Sequence, residues 1–126
     1  MNKVISVRAD LKKNRLYTTL KGNLKGEEIS SLPESLRQEA KKLKPGFIAI
    51  SDVSEFEPAD EKVQEVISQM MAAAVESGMG TTIRVVSETT GGQLQALSNS
   101  KHGYSAILCR SPEEAEQQAE RLGGEM

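Results

Sequence analysis

Two periodicities divide the chain. Residues 3–9 place Ile5, Val7 and Ala9 on one face, and residues 15–21 do the same with Leu16, Thr18 and Leu20, the period-two alternation of half-buried strands. The link between them, Asp10-Leu11-Lys12-Lys13-Asn14, is short and polar and holds an Asn, which tolerates left-handed backbone. A hairpin is therefore expected. After Gly22 and Gly26 the period changes, and Ile29, Leu32, Leu36, Ala40 and Leu43 form a helical stripe. Pro33 lacks an amide donor and is poorly placed inside that stripe. Ser31 followed by Glu34 reads as a capping box, so the main helix is expected to begin there.

A strand and helix rhythm follows. Phe47-Ile48-Ala49-Ile50 is a continuous apolar run after Pro45-Gly46, the pattern of a central strand covered on both faces. An acidic loop is expected next, through Asp52, Ser54, Glu55 and Glu57, with Pro58 opening the second helix. The stripe Val63, Val66, Ile67, Met70, Met71 and Ala74 gives that helix a broad apolar face, ending near Gly78 and Gly80. Residues 82–86 read as a strand, 93–98 as a short helix with Leu94 and Leu97 inward, and 104–109 as the last strand. Ser111-Pro112-Glu113-Glu114 combines an N-cap, a proline at N1 and a capping-box Glu, leading into Ala115, Ala119 and Leu122. The whole is an α/β pattern of order ββαβαβαβα. It predicts one domain over residues 1–126, a mixed sheet with an N-terminal antiparallel hairpin and helices packed against it.

At this point the chain resembles the sulfate transporter and anti-sigma factor antagonist (STAS) family. The likeness rests on Leu20-Lys21-Gly22-Asn23-Leu24 after the second strand, Asp52-Val53-Ser54 after the third, and Ser111-Pro112-Glu113-Glu114-Ala115 at the last helix start. The resemblance implies a STAS-like fold and a partner-facing surface on the third-strand loop and second helix. In the family's anti-sigma factor antagonists an aspartate leads into a Ser-Ser-Gly whose serine takes a regulatory phosphate. The aspartate falls on Asp60, but Glu61-Lys62-Val63 follow, so the usual switch has no hydroxyl. Ser54 is the nearest one.

Charge and composition narrow the classes. A length of 126 residues, 37% hydrophobic and 27% charged, suits a soluble globular domain with its own core. Residues 1–50 carry 11 Lys/Arg against 5 Asp/Glu, and residues 51–126 carry 5 against 13. The lysines have local explanations: Lys12, Lys13 and Arg15 read as a basic hairpin tip, and Lys41, Lys42 and Lys44 as a helix C-terminus. With aromatics at 3% there is no stacking platform, so nucleic acid is not an expected partner. No apolar run approaches the roughly 20 residues that span a bilayer, so membrane insertion is not expected. Residues 1–5 carry no secretory apolar core, which points to a cytoplasmic address.

Candidate chemistry is sparse. Cys109 ends an apolar strand, where a thiol behaves as a small hydrophobe, and His102 is the only histidine to serve it as a base. Asp52 and Asp60 lack the ligand alternation of a cation site. No cofactor or metal is implied. The expected function is a noncatalytic regulatory module that binds a protein partner, one with a basic surface, through an acidic rim of Asp52, Ser54, Glu55, Glu57, Asp60 and Glu61; carboxylates complementing a helix dipole would give the same rim. The alternative is a small-ligand module, anionic or apolar, using this loop and Thr89-Thr90-Gly91-Gly92, whose amides run into a helix start. Homo-oligomerisation is left open.

Overall fold

The computed structural model describes residues 3–86 and 107–123. Five strands form one sheet in the order β1-β2-β3-β4-β5. β1 (Val4–Asp10) and β2 (Arg15–Leu24) are antiparallel, with Val7 opposite Thr18. The hairpin turns as its sequence asks: Asn14 takes φ 55°, and the Lys13 amide donates to Asp10 Oδ1 at 3.1 Å. β3 (Ile48–Pro58), β4 (Thr81–Val85) and β5 (Ile107–Cys109) then run parallel to one another, and β3 parallel to β2. The mixed sheet and its expected strand directions are thus as the pattern implies.

Helices cover both faces because strand side chains alternate. Leu16, Leu20, Ala49 and Val53 face α1 (Leu32–Ala40) and α2 (Lys62–Glu76), joining Leu36, Val63, Val66, Ile67 and Met70 in the main core. Ile50, Ile83, Val85 and Cys109 point the other way and meet Ala115 and Ala119 of α3 (Pro112–Gly123). Every residue of the predicted α2 stripe is buried. A short 3-10 turn (Gly26–Ile29) links β2 to α1. At Gly26 a Cβ would lie 2.4 Å from the Lys62 Cβ, so only glycine lets this turn sit against the start of α2.

Several details depart from the pattern. The third strand does not stop at Ile50 but continues to Pro58, so Asp52, Ser54, Glu55 and Glu57 belong to β3 and not to a loop. The pairing explains why: β2 is itself longer than expected, and Lys21 through Leu24 pair with Glu55 through Pro58. An irregularity in register between Thr19 and Lys21 puts one extra residue into β3, so Val53 and Phe56, three positions apart, both face the main core. With the strand running to Pro58, α2 starts at Lys62 with Glu61 at its N-cap, not at Pro58. Ser31 does occupy the N-cap of α1 but makes no side-chain cap bond. Its backbone is already helical there, and Glu34 accepts a hydrogen bond from Gln38 instead. At α3 the expected cap forms in part: Ser111 Oγ accepts from the Glu114 amide at 3.2 Å, while Glu114 reaches the Arg110 amide. The predicted helix at 93–98, the Thr89, Thr90, Gly91 and Gly92 segment, His102 and the start of the last strand lie outside the described residues.

Candidate functional site

The cross-strand register builds a feature that the linear pattern hides. Thr18 of β2 pairs with Ser51 of β3, and Ser51 pairs with Arg84 of β4, so three polar residues form one row across the sheet. The next row sets Leu16 beside Ala49 and Ala49 beside Thr82. Both rows face α1 and α2, since Leu16 and Ala49 belong to that core. Thr18, Thr82 and Arg84 are all buried, Arg84 with 5% of its surface exposed.

Above these rows lies a cavity of about 60 Å³, floored by Thr18, Ser51, Thr82 and Arg84. Its walls are Leu36 of α1, Ile67, Met70, Met71 and Ala74 of α2, and Met79 beyond it. Met side chains are unbranched and polarizable, so such a wall adapts to what it encloses. One water occupies about 10–15 Å³ on this measure, and a dry cavity of about 150 Å³ takes benzene. The space therefore suits a body of a few heavy atoms. The signal in the sequence was Arg84 within the apolar run Ile83 to Val86: a guanidinium in a central strand must meet a polar partner.

The acidic residues are spread along the second half of β3 and the approach to α2. Asp52 Oδ1 accepts from both the Ser54 amide at 3.2 Å and the Ser54 hydroxyl at 2.7 Å, which closes the irregular part of β3. Asp60 Oδ1 accepts from the Gly26 amide at 2.9 Å and so ties the short 3-10 turn to the end of β3. Glu55 pairs with Lys21 at 3.2 Å. Glu57 and Glu61 are exposed, and their side chains meet no partner among the described residues. Three of the six rim residues, Asp52, Ser54 and Asp60, thus hold the fold locally, Glu55 pairs with Lys21, and Glu57 and Glu61 are exposed. No group of three or more His, Cys, Asp or Glu side chains fit to hold a metal occurs among the described residues. No described helix is long and apolar enough to cross a membrane.

Arg15 is not part of a basic tip. It is buried on the opposite face of the sheet, where its guanidinium donates to Glu116 and, at 3.2 Å, to Glu120 of α3. Tyr17 donates to the same Glu116 at 2.7 Å, and Arg8 lies 4.4 Å from the centre of its ring. Burial alone would lower the Arg15 pKa, but bonds to Tyr17 and Glu120 and the nearby Glu116 outweigh it and hold the pKa above its ordinary value. Burial likewise pushes the Tyr17 phenol up. Cys109 is buried, and burial followed by the charge of Glu114 raises its thiol pKa, the opposite of what a thiolate nucleophile requires.

No family model matches this sequence, and no curated protein matches it. Its structure is similar to an uncharacterized protein of the DUF3478 family, with a SpoIIAA-like fold, from Shewanella loihica PV-4. The TM-score is 0.60 at 12% identity, over 94% of this chain and 96% of that one. The chain has a SpoIIAA-like fold, the fold of STAS-like domains, as the order of its elements suggested.

Proposed function

We propose that this chain is a noncatalytic binding module of SpoIIAA-like fold whose ligand is a small molecule enclosed between the sheet and the α1/α2 pair. The observation that carries this reading is the polar row of buried Thr18, half-buried Ser51 and buried Arg84 beneath a methionine-lined space of about 60 Å³. Ligand pockets combine apolar walls with a few convergent polar groups in this way. The floor offers hydroxyls and a guanidinium, which hold a ligand well. It offers no acid or base that titrates near neutrality, as proton transfer requires.

The cavity can be closed without harming the fold. Ala49 lies on β3 facing it, and valine is favoured in strands. Ala49→Val is expected to leave the unfolding midpoint unchanged or raised, while ligand-observed NMR with a library of small fragments loses every competitive hit that the native chain gives. A native chain with no saturable hits, or hits that persist in Ala49→Val, would defeat the reading.

A second reading is favoured by the exposure of Glu57 and Glu61. The edge formed by Asp52, Ser54, Glu55, Glu57, Asp60 and Glu61 would dock a protein partner with a basic surface. Reversing Glu55 and Glu57 to Lys is then expected to slow association with such a partner about tenfold or more at low salt, and less at high salt, since steering is screened over about 10 Å at 0.1 M. Stability should move by less than about 0.5 kcal/mol. An unchanged association rate at low salt, measured by stopped flow, counts against this edge as a docking surface.

A further inference from the structure

We infer that the lysine-rich end of the sheet docks peripherally on an anionic lipid surface, with Leu11 entering the headgroup layer. Three loops meet at this end. Residues 11–14, 41–47 and 77–80 lead into β2, β3 and β4, whose residues Arg15, Ile48 and Thr81 pair in one row. Hydrogen bonds hold the loops together. Asn14 Nδ2 donates to the Lys44 carbonyl at 3.3 Å, and Asn14 Oδ1 accepts from the Lys44 amide at 2.8 Å. The Gly46 amide donates to the Gly78 carbonyl at 2.7 Å, and the Gly80 amide to the Phe47 carbonyl at 2.8 Å. Together the three loops carry five lysines and no acidic residue.

Most of this charge is unanswered. All five lysines are exposed, and only Lys42 has an ion-pair partner among the described residues, Glu39 at 2.8 Å. Of the carboxylates at the border, Glu76 answers Arg37, Glu120 answers Arg15, and Asp10 accepts from the Lys13 amide. The dipole of α1 accounts for Lys41 and Lys42, which follow its C-terminus, but not for Lys12 and Lys13 on the hairpin tip. Leu11 stands beside them with 65% of its surface exposed, more than any other large hydrophobic side chain among the described residues.

An anionic bilayer matches both features, with negative headgroups for the lysines and hydrocarbon just beneath for the leucine. The lysine stems can lie along the apolar boundary while their ammonium groups stay at headgroup level. A nucleic acid would leave Leu11 uncovered, and these loops expose no aromatic side chain on which bases could stack. The exposed Glu57 and Glu61 lie toward the opposite end of β3, so the charge distribution turns the lysine end toward a negative surface.

The experiment is co-sedimentation of the full chain with phosphatidylcholine vesicles, with and without phosphatidylglycerol, at about 0.1 M and about 1 M salt. Binding is expected only with phosphatidylglycerol and only at the lower salt. Each lysine near an anionic leaflet is worth about fivefold in partitioning, so Lys13→Gln with Lys44→Gln, one from each bonded loop, should weaken binding at least tenfold. Leu11→Ser should weaken it severalfold. The chain has no tryptophan, so the emission of Leu11→Trp reports the tip alone and should shift to the blue on phosphatidylglycerol vesicles.

No binding to either vesicle, or equal binding to both, would overturn the inference. Undiminished binding by the double lysine variant would overturn the role of this end of the sheet. Binding by Leu11→Trp without a blue shift would overturn the entry of the tip into the headgroup layer. Salt-sensitive binding to polyglutamate that the lysine variant loses, with none to vesicles, would assign the surface to an acidic protein instead.

Discussion

Phe56→Ala is expected to lower the free energy of unfolding by about 3–5 kcal/mol, a large share of the roughly 5–15 kcal/mol that holds a domain together. Phe56 sits near the end of β3, yet only 1% of its surface is exposed and it belongs to the main core. The extra residue in β3 is what puts it there, since an uninterrupted alternation from Val53 would have turned position 56 outward. Truncation removes the transfer free energy of the ring and leaves a void that a paired strand cannot easily close. Urea unfolding should show the midpoint falling with an unchanged slope. Glu57→Ala, one residue on and exposed, should move stability by less than about 0.5 kcal/mol. A loss below about 1 kcal/mol for Phe56→Ala would mean that the second half of β3 is not part of the cooperative core.

The same strand shows which parts of the architecture could be read without a structure. The α2 stripe from Val63 to Ala74 and the hairpin faces of Val7, Ala9, Leu16 and Leu20 repeat with the period of their element and are found as their spacing implies, whereas Ile5, at the outer end of the β1 face, stays exposed. The stretch after Ile50 does not. Val53 and Phe56 are spaced by three because of the inserted residue, and Glu55 and Glu57 alternate outward between them and Pro58, so the segment resembles an acidic loop. The site was hidden for a related reason. Thr18, Ser51 and Arg84 come together through the register of three strands, and register between distant segments leaves no local trace in hydropathy. What was visible was one anomaly, an arginine inside an apolar strand.

Arg15 was the other such anomaly, standing at the head of the alternating run of β2. Here the structure does show its partners, and they allow a sharper test than a single truncation. Glu116→Ala is expected to cost about 1–2 kcal/mol, below the upper range for charged hydrogen bonds because the Glu116 side chain is 38% exposed and Glu120 remains. The loss arises because the Arg15 guanidinium, whose side chain is only 6% exposed, and the Tyr17 hydroxyl each lose an acceptor away from water. Arg15→Met removes the buried charge itself and replaces it with an apolar chain of similar reach, so its cost should stay within about 1 kcal/mol. In Arg15→Met the added change Glu116→Ala should then cost less than half of what it costs alone. The coupling in this double-mutant cycle, read from urea unfolding of the four proteins, measures how far the ion pair fastens α3 to the sheet. The raised pKa of Arg15 keeps it charged across the working range, and stability linked to that proton is present below its unfolded pKa and lost only in strong alkali. Losses from Glu116→Ala should accordingly be the same at pH 7 and pH 9. Additive single costs, with no coupling between positions 15 and 116, would instead assign the attachment of α3 to the packing of Ala115 and Ala119 against Ile83 and Val85.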